Sequence, residues 1–302
     1  MKKIVLLAAV AGTATVAMAQ NQGHLLTDGD AVFRFGTAAT TATGNAFPTN
    51  NTSTGRVSID FRLTGGPATT GVDSGFDHNW YVGLGTGRTR EFGMGGVMAN
   101  FARVTTTNSV TYSITNAFGV AGLNAVASYT LWDSGAGMAQ VINSLTLTNT
   151  TGADLANLDI FYSVDHDIGG TAAGDTFDPL SIVGNDRVLI QRDNAAAGGP
   201  WAMALIGFGA NASGAGGFSA LNTQLTDGSP DFVALADLGS AGNATPGDYA
   251  QFVQWRVNLA AGASASFRAD ILGANNGGVV PAPASAALLG IATLAASRRR
   301  RA

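Results

Sequence analysis

Four stretches of this chain alternate apolar and polar residues with a period of two, and that periodicity limits the fold more tightly than any other feature of the sequence. Val57, Ile59, Phe61 and Leu63 alternate with Ser58, Asp60 and Arg62, and Leu158, Ile160, Tyr162 and Val164 repeat the pattern. Tyr249, Val253, Trp255, Val257 and Leu259 stand against Gln254, Arg256 and Asn258; Phe267, Ala269 and Ile271 stand against Ser266, Arg268 and Asp270. Period two with one polar side predicts half-buried strands that face one core. Further strands are predicted at 31–35, 97–105, 109–115, 124–132, 139–148, 187–192 and 201–208, separated by clusters of Gly, Asn, Asp and Thr.

Composition points the same way. The chain has one Glu (Glu91), no Lys beyond Lys2 and Lys3, and 41 Gly, so a helical domain would lack its usual surface residues. The expected fold is all-β: a large single antiparallel β-sandwich over 20–278, with two smaller sandwiches as the alternative. The Thr-rich segment 37–55 and the Gly/Ala-rich segment 209–217 read as long loops.

Both ends read as addresses. Lys2 and Lys3 precede an apolar run from Ile4 to Val10, and small residues lead to Ala17-Met18-Ala19 before Gln20. That is the layout of a signal peptide over 1–19, cut after Ala19 by signal peptidase. Outside the two ends, ten Arg face twenty acids, a balance of −10, and nineteen of the acids are Asp. An exported domain this acidic is a poor partner for nucleic acid, whose phosphates need Lys and Arg. With no cysteine there is no disulfide, thiol catalysis, iron–sulfur cluster or Cys-based zinc site.

At the other end, Ala284 to Ala296 carry no charge, and counting from Val279 gives about the 20 residues a membrane span needs. Four arginines, Arg298, Arg299, Arg300 and Arg301, follow at once. Each costs about 2.5–3.5 kcal/mol at a bilayer centre, so together they stop translocation and stay cytoplasmic. The segment 279–302 is therefore expected to supply a C-terminal transmembrane helix. The order of parts, Val280-Pro281-Ala282-Pro283-Ala284-Ser285, then Ala286 to Ser297, then the arginines, resembles the PEP-CTERM sorting signal of Gram-negative bacteria, in a variant with Ala282 where the family usually has Glu. The resemblance implies recognition by an exosortase-type membrane protease, with Pro281 and Pro283 in the motif. It further implies export across the inner membrane, a transient anchor, and delivery to the cell surface or extracellular matrix, often alongside exopolysaccharide. A plain anchor that is never cut is the alternative. The middle of the chain, Leu147-Thr148-Asn149-Thr150-Thr151-Gly152-Ala153-Asp154-Leu155 with Phe161 to Asp167, Trp255 and Leu259-Ala260-Ala261-Gly262, is similar to exported β-sandwich proteins that carry this tail. It brings no activity with it.

The densest acidic stretch, DHDIGGTAAGDTFD, sets Asp165, Asp167, Asp175 and Asp178 around a Gly turn after a strand. Carboxylates two apart in a loop can turn towards one Ca²⁺, which takes six to eight oxygens; the EF-hand pattern itself fails for want of Glu. A solvated, turn-forming Asp cluster is the competing reading, and His166 between two Asp then reads as exposed surface. GLGTGR, 83–88, has no helix pattern after it and reads as a turn, not a phosphate cradle. Ser74 near Asp77 and His78 lacks a nucleophile elbow, so no catalytic triad is assigned. Trp80, Tyr81, Trp132, Trp201 and Trp255 can form a sugar platform, but at strand spacing core packing is the commoner role. The sequence thus favours a non-catalytic envelope or matrix protein. A carbohydrate-active enzyme or lectin on a sandwich scaffold is the alternative, since nothing singles out the carboxylate pair that glycoside hydrolysis requires.

Overall fold

The computed structural model describes residues 24–29, 31–35, 61–62, 77–84, 90–91, 101–135, 138–166, 168, 174–193, 201–217 and 242–274. Strands account for most of them: β1 (His24–Asp28), β2 (Ala31–Phe35), β3 (Phe61–Arg62), β4 (Asp77–Leu84), β5 (Arg90–Glu91), β6 (Phe101–Thr105), β7 (Ser109–Ile114), β8 (Leu123–Gly135) and β9 (Met138–Asn149). There follow β10 (Leu155–Asp165), β11 (Asp175–Phe177), β12 (Ser181–Val183), β13 (Asp186–Asp193), β14 (Trp201–Phe208), β15 (Ala212–Gly217), β16 (Asn243–Gly247), β17 (Tyr249–Leu259) and β18 (Ser264–Ala274). No helix among the described residues is long and apolar enough to cross a membrane. The segment 279–302, where the transmembrane helix is expected, lies outside the described residues, as do Ala19 and the signal peptide.

The strands form three antiparallel sheets. A five-stranded sheet runs β15-β17-β10-β4-β5, a ten-stranded sheet runs β16-β11-β13-β14-β18-β9-β8-β7-β6 with β12 beside β13, and β1-β2-β3 make a small third. The two large sheets pack face to face, giving a sandwich-like molecule. Strand β9 shows why: its burial alternates strictly along all twelve residues, with Val141, Leu145 and Leu147 inward. Its register sets Leu145 between Ala127 of β8 and Phe267 of β18, so inward positions line up across neighbouring strands. Opposite them, Leu158, Ile160, Tyr162 and Val164 of β10 sit beside Trp255 and Val253 of β17 and Val82 and Trp80 of β4, all in the same core. Burying one such side chain contributes about 1.5–3 kcal/mol.

Two strand expectations need correction. Segment 209–217 is not a loop: Ala212–Gly217 is an edge strand paired with β17. Its residues carry almost no side chain, so period two has nothing to display, and a Cβ at Gly214 would lie 2.7 Å from the tip of the Phe252 ring, which would have to shift. Strand β10 is not half-buried either. Asp159, Phe161, Ser163 and Asp165, on its second face, are as buried as the apolar residues of the first. The strand expected at 97–105 is described only from Phe101, and of 57–63 only Phe61 and Arg62 are described.

Close approach of the sheets is tested at Gly207 of β14, where a Cβ would meet Val253 Cβ and Cγ1 of β17 at 2.7 Å. Both are strand atoms held by packing, so neither can move aside freely. Gly207→Ala should cost about 1–3 kcal/mol by overpacking, read as a lower urea midpoint with unchanged slope.

The segments Leu147–Leu155 and Leu259–Gly262 have a structural role. Asn149 ends β9 and ties two turns together: its Nδ2 donates to the Ala153 and Leu259 carbonyls at 2.8 and 2.9 Å. Its Oδ1 accepts from the Thr151 amide and hydroxyl. Gly262 N donates to the Asn149 carbonyl, and Ala261 N to Asp154 Oδ1. Gly152 and Gly262 take φ of 83° and 77°, the left-handed region where glycine carries no Cβ penalty. The motif is thus a clasp between the β9–β10 and β17–β18 connections.

Candidate functional site

The chemistry-bearing residues gather inside one end of the sandwich, where β4 begins and β10 finishes. On β4, His78 is opposite Val164 of β10, which in turn is opposite Gln251 of β17, so the three share the inner face in one row. From the facing sheet, Gln191 comes from β13 on the same phase as core residue Leu189. A polar residue on the apolar phase of a strand is a mark that this end of the core is not purely hydrophobic.

Gln191 Nε2 donates to Asp175 Oδ2 at 2.5 Å and to the His166 carbonyl at 3.0 Å, with the Tyr249 carbonyl at 3.3 Å. One amide therefore joins β11, the residue after β10, and the start of β17. Asp193, two residues beyond Gln191, brings its carboxylate against Gly174, where a Cβ would lie 3.0 Å from Oδ2.

On the other side of the row, the Tyr162 hydroxyl and His78 Nδ1 share a hydrogen bond of 2.8 Å. The His78 ring also stacks at an angle on Phe33 and meets Tyr129 edge-on, at 5.4 and 5.8 Å between centroids. Burial, and secondarily the neighbouring His166, pushes the His78 pKa down from 6.5 to about 3. The imidazole is therefore neutral at ordinary pH. Burial raises the Tyr129 phenol well above its usual value, with Tyr112 adding to the effect. The two groups are a neutral base and a neutral phenol, suited to hydrogen bonding and held away from solvent.

The predicted acidic residues separate. Asp165 and Asp175 are buried, and so is His166, which corrects the expectation of a solvated loop with His166 on the surface. Asp178 points elsewhere: Arg192 Nε and Nη2 grip both its oxygens at 2.7–3.0 Å, half exposed on the other face of β13. Asp167 lies outside the described residues, as do Ser74, Pro281, Pro283, Arg298, Arg299, Arg300 and Arg301. Among the described residues no group of three or more His, Asp or Glu is placed to hold a metal ion.

The aromatics are mostly packing groups. Trp80, Tyr81 and Trp255 are buried, and Trp132 is half-buried. Trp201 lies on β14. Gly83 and Leu84 of GLGTGR are the last residues of β4, and 85–88, where the turn is expected to continue, lie outside the described residues.

Sequence reasoning missed Gln191, Gln251, His78 and Tyr162 as one group. The only readable signal was phase: Gln251 stands two residues before Val253, and Gln191 two after Leu189, in positions otherwise apolar.

Fold and site together define an antiparallel β-sandwich with a polar cluster sealed into one end of its core. No family model matches the chain, and no curated protein matches it. Among solved structures it is similar to a putative kojibiose phosphorylase from human microbiome, with a TM-score of 0.39 and 9% identity over 91% of this chain and 33% of that one. The chain thus spans about a third of that protein's length, and a likeness at this level carries no argument about activity.

Proposed function

We propose that the chain is an exported, non-catalytic protein of the cell envelope or extracellular matrix, sorted through its C-terminal segment and associated with exopolysaccharide. The observation that carries the reading is the order of three elements at 279–302: a Pro281/Pro283 motif, an uncharged run to Ala296, and Arg298 to Arg301. In this reading signal peptidase cuts after Ala19, the tail holds the protein in the inner membrane, and an exosortase-type protease releases it outside. The non-catalytic part is supported by where the reactive groups go. Asp178, Asp159 and Asp270 are each gripped by an arginine, at 2.7, 2.7 and 2.5 Å, while Trp80, Tyr81 and Trp255 are core. Groups spent on internal bonds and packing are not presented to a substrate.

The test is the intact mass of the protein from its native host, together with cell fractionation of a variant with Arg298 to Arg301 replaced by Ala. The expected mass lacks both 1–19 and the tail, and the variant is missorted. A full-length cytosolic chain, or a variant that fractionates like the wild type, overturns the reading.

A further inference from the structure

Three oxygens converge on Gln191 Nε2: Asp175 Oδ2 and the His166 and Tyr249 carbonyls, at 2.5, 3.0 and 3.3 Å. An amide nitrogen carries two protons, so three acceptors overfill it. At the same time Gln191 Oε1 has no hydrogen-bond partner although the side chain is completely buried. Gln251, equally buried and two residues along β17 from Tyr249, has no partner for either amide atom. Buried amide groups left in this way destabilise the fold unless something else satisfies them. Three oxygens gathered round one amide, with that amide's own oxygen unpartnered and a second unpartnered amide on the strand that supplies the Tyr249 carbonyl, point to a ligand that takes oxygen donors.

We propose that Asp175, Gln191 and the carbonyls of His166 and Tyr249, with Gln251 on the same strand face, form an oxygen-lined site for Ca²⁺. The Gln191 carboxamide turns over on binding, so that Oε1 takes part in place of Nε2. A hard divalent cation accepts this mixture of one carboxylate with amide and main-chain oxygens, whereas a transition metal would favour histidine and thiolate. Asp193, beside Gly174, adds negative potential near the site. Asp178 has no part in it, because Arg192 holds both its oxygens. With so few charged ligands the affinity falls among the weak sites of extracellular modules, with a Kd of about 10⁻⁴ to 10⁻³ M. The inference rests on geometry and stands whether or not the export reading does.

The experiment is thermal melting of the purified full-length chain in chelator and across a CaCl₂ titration, for wild type, Gln191→Glu and Asp178→Asn. A ligand that binds only the folded state raises the melting temperature. Wild type is expected to shift upward with Ca²⁺. Gln191→Glu sets a second carboxylate against Asp175, so it should melt low in chelator and be rescued by Ca²⁺ with an apparent Kd about tenfold below that of wild type. Asp178→Asn should keep the wild-type Ca²⁺ shift. A wild-type melt unmoved by Ca²⁺ overturns the proposal, as does a Gln191→Glu protein that stays destabilised at every Ca²⁺ concentration, which is how a simple hydrogen-bond network behaves. Loss of the shift in Asp178→Asn would also overturn it, by returning the cation to the surface loop.

Discussion

Replacing Trp255 by Ala should remove about 3–5 kcal/mol of stability, the range found when a buried Trp or Phe is truncated. The reason is its position between the sheets. Trp255 is on β17, and its ring lies 5.7 Å from Trp80 of β4 in its own sheet and 5.7 Å from Phe267 of β18 in the other. Its Nε1 donates to the Phe208 carbonyl of β14 at 2.9 Å, so one side chain joins two strands of the opposite sheet by packing and by a hydrogen bond. Whole domains are stable by about 5–15 kcal/mol, so the truncated protein would be near its unfolding threshold at room temperature. Trp255→Phe keeps most of the ring contact and loses the hydrogen bond, so it should cost less, about 1–3 kcal/mol for the stranded Phe208 carbonyl. Urea titration of the two variants separates the terms. A loss in Trp255→Ala below about 1 kcal/mol would mean that the sheets are held together elsewhere.

What the sequence disclosed, and what it hid, follow from the range of each signal. Strands such as Ala31–Phe35 and Trp201–Phe208 fall where alternation and flanking turns put them, because both signals are local. The inward set Leu158, Ile160, Tyr162 and Val164 was legible for the same reason. Period two says which residues share a face, though, and not whether the opposite face is covered. Asp159 and Ser163 read as solvent-facing and are buried, Asp159 with Arg256 bonded to both its oxygens. Strand β15 went unseen because a run of Gly, Ala and Ser has no amphipathicity to show.

The site was harder still. Asp165 and Asp175 drew attention through local density, and the same density drew in Asp178, which a one-strand turn of phase sends to the opposite face and to Arg192. The partner that matters to Asp175, Gln191, is 16 residues away on another strand, and no spacing rule connects them. His78 and Tyr162 are 84 residues apart and meet only through the β4–β10 register. Non-local pairings of this kind are set by strand order, which the sequence pattern leaves open.

That long-range pair also fixes how the protein should respond to acid. His78 titrates near 6.5 in the unfolded chain and near 3 in the fold, chiefly because burial disfavours the imidazolium. Between those values the unfolded state binds the extra proton and the folded state does not, so stability rises with pH. The contribution is complete above about pH 6.5 and is lost progressively as pH falls towards about 3, with a slope of about 1.4 kcal/mol per unit for one group. Asp270 works in the opposite sense. Burial raises its carboxyl above 3.8 despite hydrogen bonds from Arg268 and Gln140, so its contribution is fully present below the unfolded value and fades as pH rises through the folded one. The two variants His78→Gln and Asp270→Asn pull the trends apart. His78→Gln, whose amide can still meet the Tyr162 hydroxyl, should flatten the fall in stability between about pH 6.5 and 4, whereas Asp270→Asn should steepen it. Chemical denaturation at half-unit pH steps reads both slopes. A wild-type profile that is level over this range and coincides with His78→Gln would mean that the imidazole carries its proton inside the fold, and that this end of the core admits charge.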